Sequence, residues 1–187
     1  MAKINFNPWL EDVRGAYGRL VFKQRYGQMF VARKPRPSLL PPTEMQTRTR
    51  ETFAAANRYA QGVFTDAARR QPYVDAGKAQ NTNPFTLAMG DFLNLPEVKE
   101  VDLSDYHGRV GDPIRVTATD DFGLVSVKVT IRSEAGAELE QGLAANVDGT
   151  WVYHATTVAP VDQTLTIEAE AKDRPGHERT RSETWHA

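Results

Sequence analysis

The side chains best suited to proton transfer near neutral pH are the four histidines, His107, His154, His177 and His186. Their neighbourhoods predict loops, an outward strand position and the chain end, so the expectation is exposed polar residues and not a catalytic set. Glu168 and Glu170 alternate with apolar residues on one expected strand. They sit about 7 Å apart by strand rise, a spacing that suits a solvated or edge-protecting face. No GxSxG elbow, GxxxxGK[ST] loop, GxGxxG turn or HExxH pair occurs. Cysteine is absent, which removes disulfides, thiolate zinc sites and cysteine nucleophiles. Asp120, Asp121 and Asp173 lie in aspartate-rich turns of a kind that can hold calcium. That ion needs six to eight oxygens, whereas aspartate before glycine also closes ordinary Asx-turns. The expectation is therefore a non-enzymatic protein with no catalytic, cofactor or metal residues, calcium at the three aspartates being the open alternative.

The remaining chemistry is charge. Residues 1–96 carry 14 Lys/Arg against 7 Asp/Glu, or +7, and residues 97–187 carry 9 against 17, or -8, within a total of -1. Arg19, Lys23, Arg25, Arg33, Lys34 and Arg36 stand among Tyr17, Phe22, Tyr26 and Phe30. Cations interleaved with aromatics are what single-strand binders use, but lysine and arginine at strand ends also guard edges or meet acidic neighbours. The arginines read as scattered over hairpin and helix, so nucleic acid is an unlikely partner and the acidic half is the favoured one.

These residues need elements to carry them. Arg19–Lys23 and Gln28–Arg33 predict a β-hairpin that is apolar on both faces, preceded by an arm with Ile4, Phe6 and Trp9. A two-stranded ribbon is marginal in water. The expected assembly interface is therefore Ile4, Phe6, Trp9, Leu20, Val21, Phe22, Met29, Phe30 and Val31, with a further strand supplied by the C-terminal module or by another subunit. After the proline-rich stretch 35–42, Thr43 and Gln46 fit a capping box. Met45, Thr49, Thr52, Phe53, Ala56, Tyr59, Ala60 and Val63 then follow a helical period. A second helix is expected over about 65–78, with a break at Pro72, and a third from Asn83–Pro84 to Leu93.

From about Glu97 the period changes to two. Ile114, Val116 and Ala118, then Val125, Val127, Val129 and Ile131, then Trp151, Tyr153 and Ala155, then Leu165, Ile167, Ala169 and Ala171 alternate with polar residues. Adding short strands near Val98, Leu139 and Trp185 predicts an α+β chain: an arm, β-hairpin and helical domain over 1–96, then an antiparallel β-sandwich of about seven strands over 97–187.

The stretch Gly111-Asp112-Pro113 through Asp120-Asp121-Phe122-Gly123 and Val125-Ser126-Val127, with the later Ala171-Lys172-Asp173-Arg174-Pro175-Gly176, resembles bacterial immunoglobulin-like modules. Those modules show aspartate-to-glycine turns of this kind after a long strand and before the last one. The first half, with Thr43-x-x-Gln46 and Arg48-x-Arg50-x-x-Phe53, resembles uncharacterised bacterial and prophage-type proteins. The resemblance implies the fold more than a function. Such modules usually belong to secreted or surface proteins, whereas the sequence MAKINFNPWLEDV shows no signal-peptide pattern and no apolar run is long enough to span a membrane. Phage virion proteins carry similar modules without a signal peptide.

The functional expectation is a cytoplasmically made structural subunit that self-assembles head-to-tail, by arm and hairpin, into a filament, ring or virion-like assembly. Its partner is itself. The alternative is a binding module for a carbohydrate, surface or nucleic-acid ligand.

Overall fold

A computed structural model describes residues 2–4, 14–25, 28–36, 40–161 and 163–186. The chain forms two compact units, Met1–Gln46 and Thr47–Ala187. This boundary differs from the one expected at 96/97, because the helices pack with the C-terminal sheets through Phe122.

The first unit holds a four-stranded antiparallel sheet of order β1-β4-β3-β2, from β1 (Ala2–Ile4), β2 (Gly15–Tyr17), β3 (Leu20–Arg25) and β4 (Gln28–Arg33). The β3–β4 hairpin has the expected register, with Phe22 opposite Val31 and Lys23 opposite Phe30. Further pairing for the hairpin comes from β1 and β2 within the same unit. Gly18 (φ +56°) makes the tight turn between Tyr17 and Leu20.

Helix α1 (Glu44–Thr65) opens with the reciprocal capping box: Gln46 N–H donates to Thr43 Oγ1 at 3.3 Å, and Thr43 N–H to Gln46 Oε1 at 3.2 Å. Only its C-terminal part is covered. Ala56, Ala60 and Val63 are buried, while Met45 and Phe53 of the same stripe are exposed. Asp66 caps α2 (Ala67–Gln80), accepting from the amides of Ala68 and Arg69. The helix runs unbroken through Pro72. Asn83 caps α3 (Pro84–Leu93), with Pro84 in the first turn as expected.

The rest is β structure in two antiparallel four-stranded sheets. One has the order β5-β6-β10-β9 and the other β12-β11-β7-β8. Their strands are β5 (Glu97–Asp102), β6 (Pro113–Thr119), β7 (Ser126–Ser133), β8 (Glu138–Leu143), β9 (Ala145–Val147), β10 (Thr150–His154), β11 (Thr164–Lys172) and β12 (Glu178–His186). Eight strands are thus present among the described residues of this region where about seven were expected. The addition is β9, which pairs with β10 across the Asp148–Gly149 turn. Ile114, Val116 and Tyr153 of one sheet and Val127, Val129, Leu165 and Ile167 of the other share one hydrophobic core. Glu140 of β8 is buried, and its carboxylate accepts from the amides and hydroxyls of Thr156 and Thr157 just beyond β10, which ties the two sheets together.

Candidate functional site

The expected interface residues fall into three groups. Phe6 and Trp9 lie outside the described residues, and Ile4 is described only as the backbone partner of Met29. Leu20, Val21, Phe22, Met29, Phe30 and Val31 stand on paired strands β3 and β4. The register puts Leu20, Phe22, Met29 and Val31 on one face of the sheet and Val21 and Phe30 on the other. None of the six is buried: Leu20 is 39% exposed and the other five are partly exposed. No described side chain of the sheet reaches full burial, so its described residues show no dry face of the kind that normally holds such a sheet together.

A second cluster, which the sequence did not single out, lies where the helices meet the β turns. Tyr59 of α1 and Tyr73 of α2 join hydroxyls at 2.9 Å, and Tyr73 donates to Asp91 Oδ2 of α3. Asp91 is buried, and among the described residues its Oδ1 has no hydrogen-bond partner, nor has the buried Oδ1 of Asp120 in the turn after β6. Burial pushes the Asp91 carboxyl up to about 6; Asp120 and Asp173 add to the rise, while the Tyr73 bond and Arg174 oppose it. Burial and the Asp91 bond also raise Tyr73, and burial raises Tyr59. The available signal was Asp91 as the sole charge in the apolar helix Pro84–Leu93.

The aspartates considered for calcium are engaged locally. Asp120 Oδ2 accepts from the Phe122 amide. Asp121 accepts from the Asn94 side chain. Buried Asp173 accepts from the amides of Gly176 and His177, and its other oxygen lies 2.8 Å from His177 Nδ1. Among the described residues, no group of three or more His, Cys, Asp or Glu side chains is placed to hold a metal. The histidines do not converge: His107 places its amide on Asp112, His154 its ring on Gly111 O, and His186 its ring on Thr164, while His177 packs edge-on against Phe92. Above the tyrosine pair lies a cleft of about 190 Å³ lined by Tyr59, Val63, Arg69, Tyr73, Val125 and Arg174. Arg69 stacks over Tyr59 and Arg174 over Phe122, each guanidinium carbon 5.8 Å from the ring centre.

No protein-family model matches the chain, and no curated protein matches it either. Among solved structures it is similar to a conjugative transposon lipoprotein from Bacteroides eggerthii DSM 20697, at 13% identity and a TM-score of 0.29. The match covers 50% of this chain and 97% of that one. A likeness so distant carries no argument about either fold or function. No described helix is long and apolar enough to cross a membrane.

Proposed function

We propose that the protein is a non-enzymatic structural subunit that assembles with copies of itself head-to-tail, its N-terminal sheet meeting the C-terminal unit of the next copy. The observation that carries this reading is the sheet itself. It is apolar on both faces, yet none of its described side chains is buried, and apolar area left in water forgoes about 25 cal/mol per Å². Charge favours the same geometry. Residues 1–46 carry 8 Lys/Arg against 3 Asp/Glu, or +5, and residues 47–187 carry 15 against 21, or -6. The asymmetry is thus sharper per residue in the observed N-terminal unit than in the expected halves. Contact between unlike surfaces closes into rings or extends into filaments.

The C-terminal strands are read as an immunoglobulin-like module. Support comes from the two aspartate-to-glycine turns and from the two sheets that share one core. Strand addition would use the outer edges of β1 or β2. Sedimentation velocity of the full chain over rising concentration in low salt is the test. Species larger than a monomer, weakened by salt and by Phe22→Glu, are expected, and a monomer throughout defeats the proposal. A second reading, a binding module, is favoured by the arginine-flanked cleft over Tyr59 and Tyr73. It predicts a monomer that binds a glycan or oligonucleotide saturably.

A further inference from the structure

Four of the eight cations of the N-terminal unit are gathered in one place. Arg19 in the β2–β3 turn, Arg33 at the end of β4, and Lys34 and Arg36 just beyond line one concavity of about 690 Å³. Pairing brings them there: Leu20 lies opposite Arg33, and the Lys34 amide donates to Arg19 O at 2.7 Å. Residues 14–36 contain no Asp or Glu. Among the described residues none of the four cations forms an ion pair. Like charges around one hollow repel one another until an anion enters.

The C-terminal unit offers such anions. Several of its carboxylates are already held, Asp105 by Arg115, Glu138 by Arg132, Glu178 by Lys172 and Glu183 by Arg181. Glu97 and Glu100 are exposed and, among the described residues, form no ion pair. They stand on edge strand β5, where Val98 and Val101 take the buried positions. A register shift between Val98 and Glu100 leaves both glutamates among the outward positions of the strand.

We infer that the concavity of Arg19, Arg33, Lys34 and Arg36 in one copy receives Glu97 and Glu100 of the next copy. This rests on the assembly reading and adds the two surfaces that meet. The contact is electrostatic and lies at exposed positions, so it orients the subunits and sets the salt dependence, while the apolar faces of the sheet supply adhesion.

The test is a charge swap in the full chain, followed by sedimentation velocity, with circular dichroism confirming that each variant folds. R33E/R36E and E97K/E100K should each associate about tenfold more weakly than the wild type, or worse. An equal mixture of the two should recover association, because each altered surface then finds its opposite. Undiminished assembly of either variant alone overturns the inference while leaving the assembly reading in place. Failure of the mixture to recover overturns it too. A wild type that never leaves the monomer defeats the assembly reading, and this inference with it. Single-stranded oligonucleotide that binds the wild type but not R33E/R36E, with both assembling alike, gives the concavity to nucleic acid and also overturns it.

Discussion

Asp91 links a single proton to the stability of the whole C-terminal unit. Its ordinary value of 3.8 rises to about 6 in the folded chain, with burial the main cause. The native state therefore binds this proton more tightly than the unfolded state does. The ionised form carries a penalty that is absent below about pH 4 and complete above about pH 6. Between pH 7.5 and pH 5.5 stability should rise as pH falls, by about 0.8 kcal/mol, with the rest of the gain falling between pH 5.5 and about 4. Denaturant midpoints at the two pH values measure this. Asp91→Asn, neutral at every pH and able to donate to a facing oxygen, should flatten the dependence. Asp102, Asp112 and Glu178 have lowered values, the first two through backbone amides and the last through Lys172. They act in the opposite sense, so a loss of stability should appear once pH falls below about 4. A profile flat from 7.5 to 5.5 in the wild type would show that Asp91 is ionised throughout.

At the scale of elements, the legible features were those carried by short-range chemistry. Thr43 with Gln46 and Asn83 with Pro84 announced helix starts because a cap is written within four residues. The alternation from Ile114 to Ala171 announced strands because burial on one face repeats every second residue. The Tyr59–Tyr73–Asp91 relay was not legible, since it joins three helices and its polar atoms meet only after they pack. Nor was the extra pairing of the hairpin, because β1 and β2 are three residues each and leave little periodicity to read. Pro72 suggested a break that does not occur. The α2–α3 corner shows how packing can reverse a local preference. Alanine for glycine inside an exposed helix gains about 1 kcal/mol, but a Cβ on Gly77 would sit 2.8 Å from both Thr82 O and Pro84 Cγ. Gly77→Ala should therefore cost about 1–3 kcal/mol in thermal or chemical unfolding. A variant as stable as the wild type would mean that the corner can open without loss.

Across the whole molecule the two units differ in how they are held. The C-terminal unit has an extensive core, whereas the N-terminal sheet has no fully buried described side chain. Regions with few buried contacts open at low free energy. Amide hydrogen exchange should therefore be much faster at Leu20–Arg25 and Gln28–Arg33 than at Ser126–Ser133 and Thr164–Lys172. In concentrated, low-salt solution, where assembly is proposed, exchange in the sheet should slow while that of the core strands stays unchanged. Sheet amides as protected as the core in dilute solution would remove the reason for seeking a cover.

The passage from β8 to β9 has a consequence for engineering the chain. Leu143 still pairs with Lys128 in one sheet and Ala145 already pairs with Val152 in the other, so Ala144 alone makes the corner. Its amide donates to Val127 O at 2.8 Å, and its side chain is buried. With no slack on either side, a single added residue would have to be absorbed by slipping a whole strand, which turns each side chain of that strand to the opposite face. The Ala135–Gly136 and Asp148–Gly149 turns end in exposed tips and have no such constraint. A short epitope tag inserted at either tip should leave expression and melting temperature near those of the parent. One glycine inserted beside Ala144 should drive the protein into inclusion bodies, and soluble, normally melting protein from that insertion would show that the corner has play.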